Sequence, residues 1–131
     1  MTRILPFLLV LLLAAAACGG GDEASLPGSS WTLTSLDGAE PVGEKAITLA
    51  FADDGTLAGT SGCNQYGGGF TVDGDALTVE PLRSTRMACE DDVMAQEFAY
   101  TTALEAAQSF SIDGDTLEIV SSEGTLTFAA A

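Results

Sequence analysis

The chain has 131 residues, is 47% hydrophobic, and carries a formal net charge of −15 from 19 acidic and 4 basic residues, with no histidine. This length predicts a single domain. Because Ser-His and Cys-His pairs are impossible without histidine, we expect neither enzymatic activity nor a cofactor. So few Lys and Arg side chains cannot displace the counterions of a polyanion, so nucleic acid is excluded as an expected partner.

Residues 1–17 have the pattern of a secretory signal peptide. Arg3 supplies a short positive region, Ile4–Leu13 an apolar stretch, and a run of alanines ends directly before Cys18. The apolar stretch falls short of the roughly 20 residues that a transmembrane helix needs. The segment therefore predicts export and removal of residues 1–17.

The alanines followed at once by Cys18 resemble the bacterial lipobox, although Ala15 stands where lipoboxes more often carry Leu. The sequence thus predicts lipidation of Cys18, and so a protein anchored to a membrane of the bacterial cell envelope, outside the cytoplasm. Two alternatives remain open: ordinary cleavage that leaves Cys18 as a free thiol, and an uncleaved anchor.

Residues 18–28 predict a flexible tether, because three glycines are followed by small and acidic residues without apolar periodicity. The domain is then expected over residues 29–131. Since its acidic charge is repelled by anionic lipid head groups, attachment has to come from the anchor.

From Trp31 onward, β-favouring runs alternate with turn signals, which predicts a meander of antiparallel strands. Residues 70–79 and 110–119 nearly repeat each other, each with an Asp-Gly-Asp turn at its centre. In each repeat two apolar residues precede the turn and two follow it, all on one face of a hairpin that must be covered. The turns lack the further oxygen ligands of an EF-hand, so we expect no metal there.

Between these strands, Asn64, Gln65 and Tyr66 precede three consecutive glycines. Loops that connect strands often carry binding residues, so these three form a possible interaction loop. The alternative is that the glycines serve strand geometry, as in a β-bulge.

Once Cys18 is set aside for lipid, Cys63 and Cys89 form an even pair in a compartment where disulfides persist. We expect a disulfide between them, worth roughly 3 kcal/mol on the chain-entropy estimate. Two buried, unpaired thiols are the alternative. Two thiolates without histidine lack the ligand number of a zinc site.

Residues 91–107 have helical periodicity and open with acidic side chains that favour a helix N-terminus. The helix is expected to pack on the sheet or to plug the open end of a barrel. The apolar residues expected on its buried side are Val93, Met94, Phe98, Tyr100 and Leu104.

Glu97 falls within this apolar arc, where an unpaired carboxylate would be costly to bury. We expect a structural ion pair with Arg86 or with Arg83, the guanidinium groups just upstream of the helix. In the alternative, Glu97 lies at the edge of the face and reaches solvent.

Several motifs together resemble a known family. They are Trp31-Thr32-Leu33, Ser61-Gly62-Cys63-Asn64-Gln65-Tyr66-Gly67-Gly68, Thr85-Arg86-Met87-Ala88-Cys89, and Glu97-Phe98 with Leu104. The chain from Trp31 to Phe128 is similar to the META domain, the family of the heat-inducible envelope lipoprotein HslJ. The resemblance implies a small β-rich, barrel-like domain with one helix, linked to envelope stress and to tolerance of certain antibiotics. It implies no settled biochemical activity.

The fold class expected is therefore α+β and mostly β: a small antiparallel meander or barrel-like sheet with one helix packed on it. The function expected is that of a non-enzymatic binding or interaction module, whose partner is a small molecule or an envelope protein. The alternative is a structural envelope component without a discrete ligand.

Overall fold

The computed structural model describes residues 25–131, so the signal peptide, Cys18 and most of the tether lie outside the described residues. The expectations of cleavage and lipidation are therefore untested by the fold. The described chain forms nine strands and one helix: β1 Ser29–Leu36, β2 Thr48–Phe51, β3 Thr56–Thr60, β4 Gln65–Asp73, β5 Ala76–Val79, β6 Arg83–Ser84, α1 Asp91–Glu105, β7 Ala107–Asp113, β8 Thr116–Ser121 and β9 Gly124–Ala130.

Eight of these strands close into an antiparallel barrel. They follow one another in the order β3-β2-β1-β9-β8-β7-β5-β4, and β4 pairs back with β3 to complete the ring. Among the described strands, β6 stays outside the ring and pairs with β4 alone. The prediction of a mostly-β, barrel-like fold with one helix is confirmed.

The two repeated segments form the β4–β5 and β7–β8 hairpins with the expected register. Gly74 and Gly114 have φ of 61° and 58°, a backbone conformation that glycine adopts at little cost in a two-residue turn. The apolar residues face one another across each hairpin in the pairs Phe70↔Val79, Val72↔Leu77, Phe110↔Ile119 and Ile112↔Leu117.

The two hairpins meet where neighbouring strands of the ring share the fewest residue pairs. There β5 and β7 share one residue pair, Ala76↔Ser109, and the Phe110 amide donates to the Asp75 carbonyl at 2.9 Å. The two strands share no further residue pairs.

Side chains fill the interior of the barrel. Its largest fully buried members come from five strands of the ring, from α1 and from the segments just before β1 and β2: Tyr100, Phe51, Phe128, Leu26, Ile47, Leu49, Leu57, Leu77, Leu104, Leu117, Ile119 and Leu126. At native packing density such an interior is a hydrophobic core rather than a binding cavity.

The packed domain begins ahead of residue 29. Leu26, which the sequence placed in the tether, is fully buried in the core. The amide of Gly28 then donates to the Phe51 carbonyl at 2.8 Å and holds this segment against β2. Residues 25–27 and the turns at 73–76 and 113–116 lie at one end of the barrel, here called the tether end.

Helix α1 covers the opposite end, here called the helix end. The carboxamide of Gln96 accepts a hydrogen bond from the Val42 amide at 2.6 Å and donates to the Val42 carbonyl at 3.0 Å. The Tyr100 hydroxyl lies 2.6 Å from that of Tyr66, whose own hydroxyl donates to the Thr48 carbonyl at 2.6 Å. Polar contacts at the rim and an aromatic plug therefore fix the helix on the barrel.

The buried face of α1 differs from the predicted one. Val93, Tyr100 and Leu104 are buried as expected, but Met94 and Phe98 are 41% and 74% exposed. The smaller residues Gln96 and Ala103 take their place against the barrel. Among the described residues, no helix is long and apolar enough to cross a membrane.

Candidate functional site

The motifs of the sequence meet at the helix end. Cys63, in the connection between β3 and β4, forms a disulfide with Cys89, two residues before α1, and their Cα atoms lie 6.1 Å apart. The prediction of this bridge is confirmed. It ties the start of the helix covalently to the barrel wall.

Asn64, which is 3% exposed, connects the same elements through hydrogen bonds. Its Oδ1 accepts from the Met87 amide at 2.6 Å and from the Thr85 hydroxyl at 3.0 Å. Its Nδ2 donates to the Met87 carbonyl at 3.3 Å and to Glu97 Oε1 at 2.9 Å. One buried amide thus holds the barrel wall, the segment before the helix and the helix together.

The carboxylate of Glu97 is held by neutral donors, so the predicted ion pair with Arg86 or Arg83 is wrong. Its Oε2 accepts from the Asn64 amide at 3.0 Å and from the Ser61 hydroxyl. Partial burial raises the pKa of the Glu97 carboxyl, but these hydrogen bonds outweigh it and keep the pKa below its usual range. A carboxylate with several donors needs no guanidinium to remain ionised.

The possible interaction loop is part of the barrel wall. Gln65 opens β4 and is exposed, whereas Asn64 and Tyr66 are buried. The glycines continue β4, and a Cβ on Gly68 would lie 3.0 Å from Leu82 Cδ2. The alternative interpretation, in which the glycines serve strand geometry, therefore describes this segment better.

A groove lies at the helix end, on the outside of the barrel, between the extended segment 82–88 and the outer face of α1. It has a volume of about 620 Å³ and is called here the α1–β6 groove. Its lining residues are Asn64, Leu82, Arg83, Ser84, Thr85, Arg86, Met87, Ala88, Met94, Glu97, Phe98, Thr101 and Glu105.

Exposed apolar groups mark this groove. Met87, Met94 and Phe98 are 55%, 41% and 74% exposed. Sequence reasoning missed the groove because it assigned Met94 and Phe98 to the core. Their position on α1, across the helix from Tyr100, was the signal available.

At the helix end, the disulfide and the hydrogen bonds of Asn64 and Glu97 fix the helix on the barrel, and the α1–β6 groove lies beside them. Within residues 25–131, no group of three or more His, Cys, Asp or Glu side chains is placed to hold a metal ion. In the same part of the chain, every buried side-chain nitrogen or oxygen has a hydrogen-bond partner. Glu97 and Asn64 thus hydrogen-bond to each other, and Cys63 and Cys89 are bonded to each other.

The fold has relatives among solved structures. An NMR structure of a protein from Burkholderia xenovorans is 29% identical, with a TM-score of 0.67 over 81% of this chain and 83% of that one. A second NMR structure, 20% identical, has a TM-score of 0.68 over 79% of this chain and 90% of that one. The crystal structure of a DUF4847 family protein from Bacteroides vulgatus, 15% identical, has a TM-score of 0.57 over 79% and 93%.

The last two likenesses show the fold alone. No curated protein matches the chain. The META domain, however, matches residues 24–131, which include the barrel, the helix and the disulfide-linked motifs. The chain belongs to the META domain family.

Proposed function

We propose that this protein is a lipid-anchored component of the bacterial cell envelope whose META domain is a non-enzymatic interaction module. Its α1–β6 groove receives another envelope component. One observation carries the proposal: Phe98, Met87 and Met94 are exposed around a single groove.

The residue types around the groove support an interface. Aromatic residues, Met and Arg are enriched in protein interfaces, and the groove combines all three in Phe98, two methionines and two arginines. Covering a side chain as large and exposed as Phe98 stabilises a complex by about 1.5 to 3 kcal/mol.

The position of the groove supports an outward-facing role. Cys18 is the expected anchor, and the chain from Cys18 to Ser25 reaches at most about 25 Å when fully extended. An anchor at Cys18 holds the tether end toward the membrane. The groove, at the helix end, then faces away from the membrane and toward the other components of the envelope.

A purely structural role is the second candidate, favoured by the filled interior and the closed ring of strands. The two roles differ in one respect. An interaction module depends on the exposed side chains of the groove, whereas a structural component tolerates their replacement.

The groove is tested by site-specific photo-crosslinking of the full chain in its native membrane. We expect a photo-reactive phenylalanine analogue at Phe98 to give a defined adduct. The same analogue at Val120, 38% exposed on β8, is the matched control and should give none. The partner is then identified by mass spectrometry and purified, and Phe98→Ser should weaken its binding at least about tenfold, with Val120→Ser unchanged. Equal labelling at both positions would favour the structural role.

The anchor is tested separately. A labelled fatty acid should be incorporated into the wild-type protein and not into the Cys18→Ser variant. Incorporation into both would refute lipidation at Cys18.

A further inference from the structure

The wall of the α1–β6 groove opposite the helix is an edge strand. Among the described strands, β6 has a neighbour on one side only, with Arg83 paired to Gly67 and Ser84 to Tyr66 on β4. The chain from 80 to 90 forms no turn or bend, and the Glu80 and Thr85 amides donate to the Gly69 and Gln65 carbonyls of β4 on either side of β6. An extended segment with one unpaired edge is the template to which a further strand adds.

Alternate amides of this segment point to the barrel. The Thr85 amide donates to the Gln65 carbonyl at 3.0 Å, and the Met87 amide donates to Asn64 Oδ1 at 2.6 Å. In an extended chain, successive amides point to opposite sides. The amide between these two, that of Arg86, must therefore face away from the barrel.

The other amides face the groove. The Leu82 amide donates to Oε1 of Glu105, a residue of α1, at 2.8 Å, which shows the direction of this set. By alternation, the amides of Ser84, Arg86 and Ala88 point the same way. Among residues 25–131, no group accepts a hydrogen bond from the Arg86 or Ala88 amide. The amides of Leu82, Ser84, Arg86 and Ala88 thus form a row of donors along the groove. Glu105 already accepts a hydrogen bond from the first of them, that of Leu82.

Two arginines and two carboxylates line the groove. Of the three basic residues in the described chain, Arg83 and Arg86 line the groove and are exposed, and Lys45 lies elsewhere. The Glu97 and Glu105 carboxylates accept hydrogen bonds from Ser61, Asn64 and the Leu82 amide, so Arg83 and Arg86 are the charged groups that remain to pair with a partner. In a chain with 19 acidic residues, these two arginines are the groups in the groove that can pair with acidic side chains of a partner.

The opposite wall is apolar. Met94 and Phe98 project from α1 one turn apart, and Met87 lies beside them in the groove. Side chains of a strand added to β6 point alternately to its two faces, so every second residue of the partner, on the face that meets Met94 and Phe98, should be apolar.

We infer that the α1–β6 groove binds an extended segment of another protein in which acidic and apolar residues alternate, and that this segment adds as a strand to the free edge of β6. The inference rests on the proposed function and specifies its ligand. Backbone amides supply the affinity, Arg83 and Arg86 select acidic side chains, and Met94 and Phe98 select apolar ones.

The test is a selection from a random library of displayed eight-residue peptides against the full-length, lipid-bearing protein in detergent. We expect enriched peptides in which Asp or Glu alternates with large apolar residues. Binding should fall at least about tenfold in Arg86→Glu and in Phe98→Ser. Lys45→Glu reverses a charge outside the groove and should leave binding unchanged. No enrichment, or a basic consensus, would overturn the inference.

Backbone methylation of an enriched peptide tests strand addition itself. N-methyl groups on the alternate residues that face β6 should abolish binding, and the same number on the intervening residues should leave it within about twofold, because only one edge of the peptide pairs with the protein. Equal tolerance of both sets would refute strand addition.

The interaction module and its peptide ligand are distinguished by different outcomes of these experiments. A position-specific adduct at Phe98 combined with no enriched peptide would keep the interaction module and overturn the peptide ligand. Peptide binding with no adduct in the native membrane would uphold the groove chemistry and overturn the proposed cellular role.

Discussion

Replacing Glu97 with Gln should destabilise the protein far more than its partial exposure suggests. The carboxylate accepts hydrogen bonds from the Asn64 backbone amide, the Asn64 side chain and the Ser61 hydroxyl. Glutamine offers one acceptor oxygen and turns an NH₂ group toward these donors. Because hydrogen bonds to a charged group contribute about 1.5 to 3 kcal/mol and an unsatisfied buried donor costs about 1 to 3 kcal/mol, we expect a loss of about 2 to 4 kcal/mol.

The assay is urea unfolding of the disulfide-intact protein at pH 7, followed by circular dichroism, with thermal unfolding alongside. The expected loss corresponds to a Tm lower by about 10 °C or more for a domain of this size. Glu118→Gln is the matched control, since Glu118 is exposed on β8, and it should change stability by no more than about 0.5 kcal/mol.

The dependence on pH adds a second, independent signature. Hydrogen bonds hold the folded pKa of Glu97 below the ordinary glutamate value of about 4.3. Its contribution is therefore complete above that value and is lost as the pH falls through the folded pKa. The gap between wild type and Glu97→Gln should narrow in acid, because protonated Glu97 resembles the amide. A loss below about 0.5 kcal/mol at pH 7, or a gap that is constant down to pH values of about 3, would refute this account.

Three further predictions concern the covalent, aromatic and apolar parts of the fold. Reduction of the Cys63–Cys89 bridge should lower the free energy of unfolding by about 2 to 4 kcal/mol, and an unchanged urea midpoint with two thiols detected by mass analysis would contradict this. Burial raises the pKa of both tyrosines, Tyr66 and Tyr100, so the folded protein should show no phenolate absorbance at pH values of about 10 to 10.5. Because the unfolded chain ionises there first, stability should fall as the pH rises, and phenolate that appears before unfolding would disprove the buried hydroxyl pair. Leu26→Ala should lower the free energy of unfolding by about 2 to 5 kcal/mol, as for other buried leucines. A change near zero would show that this residue belongs to the tether and not to the core.

The hairpins could be predicted because their causes are local. Asp-Gly turns fix the strand connection, and apolar residues at alternate positions fix the face, so the register of residues 70–79 and 110–119 follows from those residues alone. The start of α1 followed in the same way from Asp91 and Asp92, whose charges suit a helix N-terminus.

Hydrophobicity alone predicts the wrong buried face of α1, because it ranks Phe98 above Gln96, whereas the fold buries Gln96 and exposes Phe98. Gln96 is buried because Val42, distant in sequence, offers its amide a matching donor and acceptor. The partners of Glu97 were hidden for the same reason. A sequence shows which residues carry charge, but not which backbone amides the folding of β3 and β4 brings within reach of a carboxylate.

The completed ring of strands limits how copies of this protein can associate. Each ring strand has a neighbour on both sides, although β5 and β7 share a single residue pair, so among the described strands β6 is the one with no neighbour at all on one side. One such edge per chain permits dimers and stops there, because a fibre needs two edges per chain. Even the dimer would bring Arg83 and Arg86 of two copies together, and their repulsion disfavours it. Strand pairing between copies should therefore not build fibres, even where the domains are crowded.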